Sequence, residues 1–182
     1  MKEVEICHRR LSLESVLLRG STCILADLGS ALRIPHDCSL LQPHTAFGVG
    51  YPGYLAPEIV KGELFDGYAT DLWAAGVMLF GMLFGTEAPF VWATPDDHRF
   101  KEICLMGHLK IMSSKWEIEN PQKRAKLEPH KPVSNSAIDL LQNMLWADPK
   151  ARLTLTEVMA HVWVTNQDEH HAISTVTSKL AE

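Results

Sequence analysis

Between Asp71 and Glu87 no residue carries a charge, and apolar side chains fall on every face of a 3.6-residue period. A helix that is apolar all round is buried all round. The run is shorter than the roughly 20 apolar residues that a bilayer requires. The pattern therefore predicts a core helix over Thr70–Gly85, around which the rest of the domain wraps. Asp71 falls in its first turn, where a carboxylate suits the helix dipole. Buried there, it must find hydrogen-bond donors close by. Gly76 and Gly81 cost helix propensity but admit close approach of neighbouring chain.

The same reading places the other elements. Val4 to His8 is a short apolar segment. Ser15–Leu18 and Thr22–Ala26 are two β-prone runs joined through Arg19-Gly20-Ser21, which predicts a hairpin. Arg33 to Val49 shows no clean period and reads as loop. Gly85 and Pro89 stop the central helix. Thr94-Pro95-Asp96-Asp97 predicts a second helix capped by Thr94, with Phe100, Ile103 and Cys104 as its apolar stripe. Ser136–Trp146 is amphipathic, with Ile138, Leu140, Leu141, Met144 and Leu145 on one face. Thr154 and Glu157 form a capping box opening a last helix that reaches His161-Val162-Trp163. The expected fold is mainly α with a small β-hairpin. It is one domain over residues 1–165, followed by a flexible tail at 166–182.

Composition narrows the classes. The net charge of −5 lacks the basic footprint of a nucleic-acid binder. Cys7, Cys23, Cys38 and Cys104 are scattered, which suits reduced thiols better than a disulfide framework or zinc site. The charged start Met1-Lys2-Glu3-Val4-Glu5 has no apolar stretch behind it, so no leader and no membrane anchor is expected. An intracellular, cytoplasmic protein follows. The basic residues of the polar segment from Gln122 to Pro132 leave the nucleus open, although a solvated loop is the simpler reading.

Three stretches carry a resemblance. His8-Arg9-Arg10-Leu11-Ser12-Leu13-Glu14-Ser15 is followed by Asp27-Leu28-Gly29. Gly50-Tyr51-Pro52-Gly53-Tyr54-Leu55-Ala56-Pro57-Glu58 precedes the core helix. Asp148-Pro149 leads into Arg152, Thr154, Glu157, His161 and Trp163. Together they resemble the C-terminal lobe of a eukaryotic-type protein kinase, whose catalytic loop H-R-D-L-K-P-E-N is followed by D-F-G. The resemblance implies a protein-kinase-like fold restricted to that lobe, beginning just before the catalytic loop in a truncated domain. The Gly-rich loop, the lysine of V-A-I-K and the regulatory-helix glutamate have no counterpart in the sequence. ATP and Mg²⁺ are implied by family resemblance only.

The departures fall on the chemistry. Arg10 stands at the position of the catalytic Asp, Ser12 at that of the phosphate-binding Lys, and Ser15 at that of the metal-binding Asn. A guanidinium has no lone pair to accept a proton and stays protonated, so Arg10 is no general base. A serine hydroxyl replaces an ammonium poorly. Mg²⁺ takes oxygen ligands, and only Asp27 survives as a good one, with Ser15 a weak second. Leu28 in place of Phe keeps an apolar wedge. Tyr51 stands where the family has a Thr that bonds the catalytic Asp and Lys, so the whole polar cluster has changed together. His8 is read as a core residue.

The resemblance makes Asp27–Glu58 the activation segment. Ser39, Thr45 and Tyr51 are its candidate phosphorylation sites, with Arg9, beside Arg10, a candidate partner for a phosphate; an unmodified surface loop is the plainer alternative. By the same resemblance Asp71 receives backbone N–H groups near His8 and Arg9, and Arg152 pairs with Glu58 in a buried ion bridge. The expected function is that of a catalytically inactive kinase-like domain acting by protein binding. A partner would sit on apolar surface left open on the core helix, or on the helix beginning near Asp96. The alternative is a serine/threonine kinase that transfers phosphate from ATP to proteins with Asp27 holding the metal.

Overall fold

The computed structural model describes residues 5–34, 40–46, 48–86, 88–119 and 133–166. The expectations for residues 122–132, for Ser39 and for the tail beyond Asn166 fall outside these. Two short antiparallel sheets come first in the chain. β1 (Ile6–Cys7) pairs with β4 (Leu32–Arg33), Cys7 opposite Leu32. β2 (Val16–Arg19) pairs with β3 (Thr22–Leu25) as the expected hairpin, and Gly20 supplies the left-handed turn residue at φ 59°. The β1–β4 pair falls where the sequence reads an apolar segment and a loop. Two-residue strands are too short to show alternation, and their pairing is long-range.

The helices follow. They are α1 (Pro57–Val60), α2 (Gly67–Phe84), α3 (His98–Phe100), α4 (Leu109–Glu119), α5 (Asn135–Met144), α6 (Leu155–Ala160) and α7 (Val162–Thr165). A π-helical stretch at Lys101–Leu105 continues α3.

α2 is the core helix, and it differs from expectation at its start. It begins at Gly67, where the Asp66 side chain accepts from the N–H groups of Tyr68 at 2.8 Å and Ala69 at 3.4 Å. Asp71 therefore lies in the second turn, beyond the reach of the dipole argument. The helix ends as expected at Gly85, left-handed at φ 66°, whose N–H donates to the Gly81 carbonyl. With 18 residues it is, by length and composition, long and apolar enough to cross a membrane, which corrects the shorter run read from the sequence. Its surroundings make it a core element instead: Trp73, Val77, Phe80 and Phe84 are buried against Phe90, Phe100, Ile103, Leu109, Leu140, Leu141 and Leu145. Burying each large apolar side chain contributes about 1.5–3 kcal/mol. Trp73 lies 5.9 Å from the Phe90 ring and 6.3 Å from Phe100. A Cβ at Gly76 would sit 3.1 Å from both Leu145 Cδ2 and Met144 Cβ, so the glycine lets α5 approach. The burial is not all round, because Met82 is exposed and Leu72, Ala75 and Leu83 are only half-buried. A smaller cluster of Cys7, Ile34, Leu41 and Phe65 joins β1 and β4 to the segment before α2.

The cap of the next helix is also displaced. Asp97, not Thr94, is the N-cap: its Oδ1 accepts from the N–H groups of Arg99 at 3.0 Å and Phe100 at 3.1 Å. Its Oδ2 holds the N–H groups of Val91 at 3.0 Å and Trp92 at 3.4 Å. Phe100, Ile103 and Cys104 are buried, as the stripe predicts. Burial opposes the Asp97 charge, but the four N–H groups together hold its carboxyl below the usual value. Its contribution to stability is therefore intact above the unfolded pKa of about 3.9 and is lost as pH falls through the depressed folded value. Asp97→Ala is expected to cost about 1–2 kcal/mol at neutral pH, and acid titration of the melting temperature should shrink the difference from wild type.

At the C-terminal end the Thr154–Glu157 capping box forms, with the Thr154 N–H donating to Glu157 Oε2 at 2.7 Å. The last helix does not run through His161. That residue is extended (φ −65°, ψ 141°), and its Nδ1 accepts the Trp163 N–H at 3.2 Å, which caps α7 and splits the expected helix in two.

Candidate functional site

The loop after β1 is held from beneath by α2. Asp71 Oδ2 accepts the His8 N–H at 2.6 Å, and Oδ1 accepts the Arg9 N–H at 2.8 Å. This is the anchor that the resemblance implies. Burial pushes the Asp71 carboxyl above its usual value, and the two backbone donors offset only part of that rise. His8 is fully buried; its Nε2 bonds to the Ala26 carbonyl at 2.8 Å and its Nδ1 to the Arg10 N–H at 3.3 Å. Both ring nitrogens are spent on backbone, in keeping with a core histidine and an Nε2–H tautomer.

Arg9 and Asp27 both adopt left-handed backbone, at φ 65° and φ 60°. This region is uncommon outside glycine and clusters at functional sites. At Arg9 the turn sends the side chain toward the following segment. Its Nε donates to the Ser30 carbonyl at 2.7 Å, and Nη1 donates to the Thr45 carbonyl. Arg9 thus grips the backbone at Thr45. The Thr45 hydroxyl is turned to the Gln42 carbonyl at 2.7 Å.

Arg10 points the other way. Its Nη2 donates to the Tyr51 hydroxyl at 2.9 Å, its guanidinium carbon lies 4.9 Å from the Tyr51 ring centroid, and Nη1 is 3.6 Å from Asp27 Oδ2. The residues at the family's base position, its activation-segment Thr position and its metal position are therefore in contact. Each was legible singly in the sequence; their meeting was not, because Arg10 and Tyr51 are 41 residues apart.

Ser12 and Ser15 are turned inward. Both are 2% exposed. Ser15 Oγ donates to the Ser12 carbonyl at 2.7 Å and accepts the Ser12 N–H at 3.0 Å. The Ser12 side chain bonds the Glu14 carboxylate and thereby lowers its pKa. Leu28 is 55% exposed, so the residue expected to act as an apolar wedge lies at the surface.

These residues do not fit a divalent metal. Mg²⁺ demands several oxygen ligands. Here Ser15 Oγ is consumed by its own loop, and Asp27 faces a permanent cation. Among the described residues no group of three His, Cys, Asp or Glu side chains is placed to share an ion. A small pocket between the loop and α2 is lined by Arg9, Leu55, Phe65 and Asp71.

The second polar centre is the ion pair. Arg152 Nη1 and Nη2 meet Glu58 Oε1 and Oε2 at 2.8 and 2.6 Å, with both side chains 2–3% exposed. Arg152 also donates to the carbonyls of Trp146 at 2.7 Å and Ala147 at 3.2 Å, and lies 4.7 Å over the Trp73 ring. It thus ties Glu58 in α1 to α2 and to the loop after α5.

The comparisons agree with this architecture. The pattern of the protein kinase domain family matches residues 1–164. The chain belongs to the eukaryotic-type protein kinase family. It is 32% identical to the calcium/calmodulin-dependent protein kinase type II alpha chain of Drosophila melanogaster over 169 residues, covering 90% of this chain and 27% of that protein. To the type II subunit delta of Oryctolagus cuniculus it is 31% identical, over 89% of this chain and 27% of that protein. To the serine/threonine-protein kinase SAPK7 of Oryza sativa subsp. japonica it is 32% identical, over 88% of this chain and 40% of that protein. The chain therefore spans between about a quarter and two fifths of the length of these relatives.

Proposed function

We propose that this chain is a kinase C-terminal lobe that is catalytically silent and acts by binding another protein. The observation that carries the reading is Arg10: the residue at the base position is a guanidinium, bonded to Tyr51 and facing Asp27. It accepts no proton, and it opposes the one carboxylate left for a metal. The buried, inward-turned Ser12 and Ser15 support the same reading, since neither presents a group to a phosphate or an ion. Around this site the scaffold is intact, from the Asp71 anchor to the Glu58–Arg152 pair. A fold kept with its chemistry removed suits a binding role. The surface for a protein partner is the open side of α2, where Leu72, Ala75, Met82 and Leu83 are half-buried or exposed. An intracellular location belongs to the same proposal.

The competing reading is serine/threonine phosphotransfer resting on Asp27, favoured by the relatives' names and by that side chain's exposure. Incubation with ATP, Mg²⁺ and an acceptor peptide separates the two. Wild type is expected to transfer no more phosphate than Asp27→Ala. Transfer that this substitution abolishes overturns the proposal.

A further inference from the structure

Read singly, Arg10 and Tyr51 are losses, and Asp27 is a survivor. Their geometry gives them a joint role. One guanidinium faces the Asp27 carboxylate at 3.6 Å through Nη1, bonds the Tyr51 hydroxyl at 2.9 Å through Nη2, and lies 4.9 Å from the Tyr51 ring centroid. We infer that Arg10, Asp27 and Tyr51 form an internal cation lock, in which the protein's own guanidinium serves Asp27 in place of a divalent ion and ties it to Tyr51 further along the chain. This deepens the reading of a silent site: Asp27 is then the anionic arm of a fastening, not a metal ligand.

The magnitudes decide which arm matters. Arg10 and Asp27 are 37% and 53% exposed, and an exposed pair at this distance is weak alone. The Tyr51 arm is stronger, because a charge-assisted hydrogen bond and the ring face act on the same group. Next to it, Arg9 already fastens the segment's backbone at Ser30 and Thr45. The two arginines therefore hold the segment at three points, Arg9 through the carbonyls of Ser30 and Thr45 and Arg10 through the Tyr51 side chain. Two left-handed residues, Arg9 and Asp27, aim the parts at one another. At Ser30, Thr45 and Tyr51 the segment is then fastened by the chain's own arginines.

The test uses Mn²⁺ as the only probe, on the full chain. Three variants serve: Arg10→Met, which keeps a long apolar stem without the charge; Tyr51→Phe, which removes the hydroxyl; and Arg10→Met with Asp27→Asn, asparagine being at ease in left-handed backbone. Paramagnetic broadening of the Leu28 and Gly29 amides reports an ion at Asp27. It is expected to be faint in wild type, at least about fivefold stronger in Arg10→Met, and gone again in the double variant. Hydrogen exchange at the Val49, Tyr54 and Leu55 amides is expected to be indifferent to Mn²⁺ in wild type. It should speed about three- to tenfold in Arg10→Met and by a smaller factor in Tyr51→Phe. Wild type broadened as strongly as Arg10→Met overturns the lock, as does exchange that neither substitution changes. Should Arg10→Met lose its fold, the exchange of Tyr51→Phe decides. The proposed silence is tested separately by phosphotransfer, so a protein that transfers no phosphate and yet binds Mn²⁺ freely would sink the lock alone.

Discussion

Arg152→Ala is expected to cost about 3–5 kcal/mol, enough to abolish much of the stability of a domain this size. The substitution strands the Glu58 carboxylate, 3% exposed, without its bidentate partner. It also leaves the carbonyls of Trp146 and Ala147 without their donor and uncovers the Trp73 ring. Arg10→Ala removes a 37%-exposed side chain from a surface pair with Asp27 and a surface contact with Tyr51, so its cost should be about 1 kcal/mol, well under that of Arg152→Ala. Urea denaturation followed by tryptophan fluorescence compares the two. Where Arg152→Ala fails to fold, Glu58→Leu combined with Arg152→Met should recover part of the loss, because no charge is then left buried. Equal midpoints for Arg152→Ala and Arg10→Ala would refute the weight given to this pair.

Asp71→Ala is the second large effect, at about 2–3 kcal/mol. The carboxylate satisfies the N–H groups of His8 and Arg9 at once, and Arg9 in turn is held left-handed. Without it the loop loses the carboxylate that holds its backbone to α2, and Arg9 loses its aim at Thr45. Hydrogen exchange at His8 and Arg9 should therefore rise together with exchange near Thr45. The pH dependence has a definite sign. Burial raises the folded pKa of Asp71 above its unfolded value, so its protonation favours the folded state. That contribution is complete below the unfolded pKa of about 3.9 and is lost as pH rises through the raised folded value. Asp71→Asn should remove this component, and its stability should fall less than that of wild type across the same rise in pH. A parallel pair of pH curves would show that the carboxylate is not desolvated as the structure has it.

The family resemblance rested on short motifs whose partners are far apart in sequence, and those pairings hold. The Asp71 anchor and the Glu58–Arg152 bridge, 94 residues apart, are both in place. They were legible through the resemblance alone, since no local pattern pairs residues so far apart in the chain. Local signals also carried far: the Gly85 stop and the Thr154–Glu157 box form where the residues place them. The core helix starts at Gly67 rather than Thr70 because Asp66 caps it, and α3 is capped by Asp97 in place of Thr94. An N-cap is decided by which carboxylate can reach two free N–H groups, and several neighbouring residues satisfy the composition rule equally. The break at His161 was invisible for a similar reason, as a histidine becomes a cap only once the backbone has turned.

By itself the sequence determined that Arg10 accepts no proton, because that follows from the chemistry of a guanidinium wherever it sits. It also determined the uncharged run of α2 and hence the existence of a core. Only the tertiary structure decided what Arg10 does instead. A long side chain on a left-handed loop has many directions open to it, and the choice between solvent, Asp27 and Tyr51 is made by distances that no local pattern encodes. The same holds for Ser15, whose oxygen is a ligand by composition and a buried fastening by position. Side-chain chemistry is a property of the residue, whereas its partner is a property of the fold.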